Sequence, residues 1–279
     1  MPKKTNSPDN LAAPYRHDNP KRRFRLDKID PAAHPFSCGD KERDRARVSE
    51  LAQQLDVHQS VFYADRRYKM LVVLQGMDTS GKDGTVRWVF SRTSPLGVRV
   101  TAFKAPNDEE RAHDYLWRCH AAVPRIGEIM VWNRSHYEDV LVPVVEGWID
   151  KAEAKRRYAQ INDFERLLTE TGTVIVKCML HIDKDEQRER LQARIDTLGK
   201  QWKFSMDDLA VRTKWSAYQQ AYETALGATS TDHAPWYVVP ANSKRHRNVM
   251  IAQLLVKTMR QMKLKAPPPD PALKGMIVK

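Results

Sequence analysis

Cysteine is scarce in this chain. Cys38, Cys119 and Cys178 are the three among 279 residues. They are odd in number and far apart, which excludes a disulfide framework and any zinc-type ligand spacing. Reduced thiols in a cytoplasmic protein are the expectation. Long apolar runs are also lacking. None approaches the ~20 residues of a membrane-spanning helix, and Met1-Pro2-Lys3-Lys4-Thr5 leads into polar sequence without the apolar core of a secretory signal. No Ser/His/Asp or Cys/His nucleophile arrangement can be picked out, and no internal repeat. What is short is acidic charge. Lys and Arg number 47 against 35 Asp and Glu, a net charge of +12. That balance favours a polyanionic partner: nucleic acid, an acidic membrane surface or an inorganic polyanion.

Against this background, Gly76-Met77-Asp78-Thr79-Ser80-Gly81-Lys82-Asp83-Gly84 stands out. It follows the apolar run Leu71–Leu74 and precedes a helix expected to start near Thr85. Glycines let the backbone curl so that N–H groups point inward, and the helix N-terminus adds positive potential. Such a strand–loop–helix cradles phosphate. Asp83 stands where a Ser or Thr usually follows the lysine, and Asp78 lies inside the loop. A carboxylate among phosphates repels them unless a metal ion intervenes, so the loop implies magnesium.

Residues 1–38 are rich in Pro, Lys, Arg and Asp without sustained periodicity and read as a basic arm. Within it Lys21-Arg22-Arg23-Phe24-Arg25 is a solvated run that could touch a polyanion. Val48, Leu51, Leu55 and Phe62 predict an amphipathic helix over 41–67. Strands are expected at Leu71–Leu74, Val98–Ala102, Glu128–Trp132, Thr173–Leu180 and Trp236–Val239. Helices are expected between them, from Asp108 through Trp117, over 151–170, around 207–226 and around 246–262. Residues 39–265 then form one domain, and Ala266-Pro267-Pro268-Pro269 opens a C-terminal tail over 266–279. Alternating strands and helices specify an α/β fold, a parallel sheet with helices on both faces. In such sheets ligands sit beyond the carboxyl ends of the strands.

Those ends carry Asp78, Lys82 and Asp83; then Lys104; then Asn133-Arg134-Ser135-His136-Tyr137-Glu138-Asp139; then His181-Ile182-Asp183; then Lys244-Arg245-His246-Arg247. Random surface charge would not respect strand ends. Taken alone, Asn133-Arg134 is equally an ordinary loop. Glu138 and Asp139 are either a metal pair or acids favouring a helix N-terminus. His136 reads as a hydrogen-bonded loop residue rather than a catalyst. On a helical wheel of about 100° per residue with Lys184 as zero, Arg188, Arg190 and Arg194 fall near 40°, 240° and 280°. Asp185, Glu186, Glu189 and Asp196 fall at roughly 100–200°. The segregation suggests a lid, over about 184–206, that presents arginine forks to phosphates. Trp88, Trp117 and Trp148 are either core or interface residues.

In order along the chain, Gly76–Gly84, Leu116-Trp117-Arg118, Asn133–Val142, the lid-like 184–203 and Pro235–Asn242 resemble polyphosphate kinase family 2. The resemblance runs from about residue 40 to 262. It implies a P-loop kinase fold with a helical lid, similar to thymidylate kinase, and phosphate transfer between inorganic polyphosphate and nucleotides with Mg2+ or Mn2+. By the same resemblance, Asp78 handles the metal and orients the acceptor, Lys82 binds phosphate, and Arg134 contacts the transferring group. Lys184, Arg188 and Arg194 are lid cations, while Lys244 and Arg247 line the polyphosphate channel. Gly76, Thr79, Ser80, Gly81, Asp83, Gly84 and Lys104 complete the phosphate-binding set. Asn133 stands where many members carry aspartate. Asn133-Arg134-Ser135-His136-Tyr137-Glu138-Asp139 is similar to the class III subgroup, which phosphorylates nucleoside mono- and diphosphates, with Glu138 near the acceptor. AMP and ADP, with GMP and GDP as further acceptors, and a homodimer or homotetramer follow from the resemblance. A long basic groove for polyphosphate accounts for the charge. An ATP-dependent nucleotide kinase and a nucleic-acid-binding protein with a P-loop site are the alternatives. The nucleic-acid reading is the weaker, because the cations gather at strand ends rather than interleaving with aromatics.

Overall fold

Residues 12–17 and 24–278 are described by a computed structural model. Lys21–Arg23 of the basic run lie outside the described residues. The strands are β1 (Arg16–His17), β2 (Lys69–Gln75), β3 (Val98–Ala102), β4 (Ile129–Asn133), β5 (Thr173–His181) and β6 (Trp236–Pro240). The helices are α1 (Lys41–Asp65), α2 (Lys82–Val89), α3 (Asp108–Ala112), α4 (Trp117–His120), α5 (Glu138–Val145), α6 (Lys151–Glu170), α7 (Lys184–Asp196), α8 (Met206–Thr213), α9 (Trp215–Thr229) and α10 (Lys244–Gln261).

The sheet order is β1-β6-β5-β2-β4-β3. β2 through β6 run parallel, and β1 adds an antiparallel edge against β6. The strand that feeds the glycine loop is therefore flanked by β4 and β5, at the centre of the parallel set. Its side chains alternate between two cores, as a period of two requires. Met70, Val72 and Leu74 pack on one face with Leu51, Leu55 and Phe62 of α1 and Leu255 and Met259 of α10. Leu71 and Val73 pack on the other with Leu141 of α5, Ile161 of α6 and Leu226 of α9. Continuous apolar strands are the consequence of burial on both faces.

Side-chain caps set the helix starts that matter for the site. Asp183 accepts from Glu186 N ahead of α7, and Ser243 accepts from His246 N ahead of α10. Two helices expected as continuous are broken. The helix from Asp108 stops at His113, which is extended; Asp114 Oδ1 then accepts from Leu116 N at 2.9 Å and α4 starts afresh. The helix around 207–226 divides at Lys214 into α8 and α9. The helix after the glycine loop starts at Lys82, earlier than Thr85. β1 and α5 carry too little periodicity to be read from sequence. Trp88, Trp117 and Trp148 are all exposed, so none is a core residue. Among the described residues, no helix is long and apolar enough to cross a membrane.

Candidate active site

Parallel register brings the strand ends together. Leu74 is paired with Asn133, and Gln75 with Met179. Arg134 N donates to Leu74 O at 3.0 Å, which closes the two loops against each other. Above them lies a cavity of about 1120 Å³.

The glycine loop forms its floor. Gly76 has φ 145°, Thr79 66° and Gly81 103°. A side chain at Gly76 would run into Leu180 O, so glycine is required there on both counts. Lys82 Nζ turns back under the loop and donates to Gly76 O at 2.6 Å and Met77 O at 3.3 Å. Burial, and then the nearby Arg134 guanidinium, push its ammonium down to about 8.

Arg134 stands across from Lys82 and reaches two carboxylates, Asp78 Oδ1 at 2.6 Å and Glu138 Oε2 at 3.3 Å. Glu138 and Asp78 hold the guanidinium firmly charged. Gln75 Nε2 donates to the other Glu138 oxygen at 3.1 Å. Asp139 turns away to Arg118 Nη2 at 2.9 Å. The two acids, first-turn residues of α5, are thus each engaged by a different arginine. His136 is buried behind them, with Nε2 3.2 Å from Glu165 Oε1. The same carboxylate accepts from Tyr137 Oη at 2.8 Å and Lys177 Nζ at 2.6 Å. This network braces the Asn133–Glu138 loop from below and leaves no histidine on the cavity wall.

The lid supplies the roof. Arg194 bonds Asp208 Oδ2 at 3.2 Å and Lys203 O at 3.0 Å. Lys203 Nζ approaches Asp83 Oδ2 at 3.6 Å across the cavity, while Asn133 Nδ2 donates to Asp83 Oδ1 at 2.7 Å. Burial opposes the Asp83 charge, but Asn133 and Lys203 together hold its carboxyl below the ordinary value. Burial, reinforced by Asp78, raises Asp208.

Of the residues expected at the site, Asp78, Thr79, Gly81, Lys82, Asp83, Gly84, Lys104, Asn133, Arg134, Arg194 and Lys244 line this cavity. Gly76, Ser80 and Glu138 stand one layer back. Lys184 and Arg188 are not brought in: both are exposed, and Arg188 pairs with Asp185. The expected charge segregation on this helix is corrected, because Glu186 and Glu189 share the cavity face with Arg190 and Arg194. Relative angles along 184–196 do not specify which arc of the helix meets the loop. Arg190 is buried and serves the loop instead, donating to Thr79 O at 2.9 Å and to Ala241 O at 2.7 Å. Arg247 is buried behind the loop and is absent from the cavity wall. Sequence reasoning missed Lys200, Lys203, Asp207 and Asp208, whose only signal was their place in a charged stretch.

Asp78, Asp83 and Asp208 give the wall hard oxygen donors, and the buried Thr79 hydroxyl has no partner among the described residues. That donor set fits a hard cation. No group of three or more His, Cys, Asp or Glu among the described residues could hold a metal by itself. Mg2+ typically keeps waters and binds through one or two carboxylates plus substrate phosphates, which suits this wall.

Known proteins agree with the geometry. The family model "Polyphosphate kinase 2 (PPK2)" matches residues 39–267. The AMP/ADP-polyphosphate phosphotransferase of Meiothermus ruber is 46% identical over 259 residues, covering 93% of this chain and 97% of that protein. The ADP-polyphosphate phosphotransferase of Rhodopseudomonas palustris is 39% identical over 270 residues, covering 90% of this chain and 93% of that protein. The crystal structure of polyphosphate kinase 2 from Arthrobacter aurescens TC1 superposes with a TM-score of 0.86 at 46% identity, covering 88% of this chain and 89% of that one. A P-loop kinase core with its cations gathered over one phosphate loop, matched along most of its length, makes this chain a phosphotransferase of the polyphosphate kinase 2 family.

Proposed function

We propose that this protein transfers phosphoryl groups from inorganic polyphosphate to AMP and ADP. The observation that carries the reading is the cavity wall: Lys82, Lys104, Arg134, Arg194, Lys203 and Lys244 converge on it from different elements around one phosphate loop. Such a wall suits a chain of phosphates better than a single nucleotide tail. The named activities of the Meiothermus and Rhodopseudomonas relatives support the same substrates.

Phosphoryl transfer asks for alignment and charge neutralisation more than for covalent chemistry. Lys82 and the loop amides hold phosphate oxygens in place. Arg134 donates its fork to the transferring group, and Arg194 and Lys203 close from the lid, where fixed donors in a partly dry site act strongly. Asp78, with Asp83 and Asp208 near, would hold a divalent cation, Mg2+ or Mn2+, together with phosphate oxygens. When bound, that cation would supply positive charge to neutralise what develops on the phosphates. An acceptor phosphate is already ionised, so no general base is needed.

Glu138 would select the acceptor through Arg134 and Gln75. The test is nucleotide production from polyphosphate and magnesium with AMP, ADP, GMP and GDP offered separately. Wild type is expected to make ADP and then ATP from AMP. Glu138→Ala is expected to shift the ratio of AMP to ADP turnover by about tenfold, the scale of one charge-assisted hydrogen bond. Equal losses on both acceptors would remove Glu138 from acceptor choice. Inactivity with polyphosphate but transfer from ATP would select an ordinary nucleotide kinase. The three free thiols support a reducing, cytoplasmic setting.

A further inference from the structure

A buried arginine lies behind the phosphate loop and pairs with no carboxylate among the described residues. Arg247, on the first turn of α10, is 2% exposed. Its Nη1 donates to Ser80 O at 3.1 Å. Its Nε and Nη2 donate to Asn248 Oδ1 at 3.1 and 2.9 Å. Arg190 Nη1 meets the same Ser80 carbonyl at 3.1 Å. Two guanidiniums thus converge on one oxygen. Burying a cation without a counter-charge is unfavourable. Burial, and then Arg190, hold Arg247 below its ordinary pKa. Packing alone does not account for such an arrangement, since an apolar side chain would fill the space without this cost.

The geometry explains it. There is no cis peptide bond here, so the Ser80–Gly81 peptide is trans and its N–H points opposite to its C=O. With Ser80 O drawn down into the two guanidiniums, the Gly81 N–H is turned the other way, and Gly81 lines the cavity. The glycines fit the same device. A Cβ at Gly81 would overlap the Arg247 guanidinium, and one at Gly84 would come within 3.1 Å of it. The loop and α10 are thus keyed to each other by shape as well as by hydrogen bonds.

We propose that Arg247 is a positioning residue: it fixes the Ser80–Gly81 peptide so that the Gly81 amide is presented to phosphate, and adds a fixed positive charge behind the loop. This replaces its expected place in the polyphosphate channel. The proposal rests on the reading of this site as a polyphosphate site.

Tripolyphosphate binding, measured by titration calorimetry with magnesium, separates the two. The variants are Arg247→Met, which keeps bulk and removes the donors, and Arg247→Lys, which keeps charge and loses the fork. Arg247→Met is expected to bind tripolyphosphate about 10- to 100-fold more weakly, the scale of one lost buried donor to a charged ligand's cradle. Arg247→Lys is expected to recover part of the affinity, and kcat should follow the same order. Thermal unfolding of each variant reports the purely structural share. If both variants fold and bind tripolyphosphate within about twofold of wild type, whatever their Tm, Arg247 is a packing residue and the proposal fails. If Arg247→Met does not fold, the affinity of Arg247→Lys decides by the same criterion. Wild-type protein that does not bind tripolyphosphate would overturn the polyphosphate reading itself, and the positioning role with it.

Discussion

Replacing Lys82 with methionine is expected to lower kcat by roughly 10²- to 10³-fold, the cost of removing one preorganised donor to developing charge. The same residue should write an alkaline limb into the pH profile. Its ammonium is pushed down to about 8 by burial and by Arg134. Below that pH the cation is present for phosphate; as pH rises through it the cation is lost. So kcat/KM should fall by up to about tenfold per pH unit above 8, since this ratio titrates with the free enzyme. Nucleotide phosphates complete their ionisation at lower pH and do not mimic this limb. In Lys82→Met the residual activity should be flat across the window. A limb that persists there assigns the titration to another group.

Stability should move the other way. A lysine whose folded pKa is lowered adds stability as pH rises between about 8 and its ordinary value of 10.5, because the unfolded chain then binds a proton that the folded chain does not. Lys82→Met should therefore gain in thermal stability relative to wild type near neutral pH, and less so at pH 10. Lost turnover beside raised stability is what a residue held for function at a cost to the fold produces. A Tm that falls with the mutation would mean that the hydrogen bonds to Gly76 O and Met77 O outweigh the burial of charge.

What could be read in the sequence is what neighbours along the chain determine. The strands Val98–Ala102 and Thr173–His181 are written in β-branched and apolar runs, and the phosphate loop in the glycines that its backbone angles require. The place of Arg134 and Lys104 on the cavity wall was reachable because parallel sheets open their clefts at strand ends. What escaped depends on contacts between distant segments. Arg247 and Lys244 are three residues apart at one helix start, yet Lys244 faces the cavity and Arg247 the underside of the loop. The docking rotation of α10 decides which, and it is set by Val249, Ile251 and Leu255 in the core, not by the basic cluster itself. Likewise Asp208 and Lys203 meet Arg194 and Asp83 only because the lid folds back over the loop. Two-residue β1 exists because β6 offers it an edge.

Arg134 carries the second large effect. It holds φ 63°, a left-handed conformation that costs a non-glycine residue about 1–2 kcal/mol. That cost is tolerated at this position because it aims the guanidinium at Asp78 and Glu138 over the loop. If Arg134 acts on the transferring group as proposed, Arg134→Ala is expected to lower kcat by roughly 10²- to 10³-fold with a smaller rise in KM. Arg134→Gly should be just as slow, because the guanidinium is equally absent, yet unfold at a higher temperature than Arg134→Ala, because glycine occupies φ 63° freely. The pair of variants divides the backbone effect from the side-chain effect. Arg134→Lys keeps a charge but reaches only one of the two carboxylates at a time, and should fall between wild type and Ala. Asp78→Asn combined with Arg134→Ala should lose less than the two single losses multiplied, because the 2.6 Å ion pair makes them one unit. Multiplicative losses in that double mutant would show that Asp78 and Arg134 act on phosphate independently.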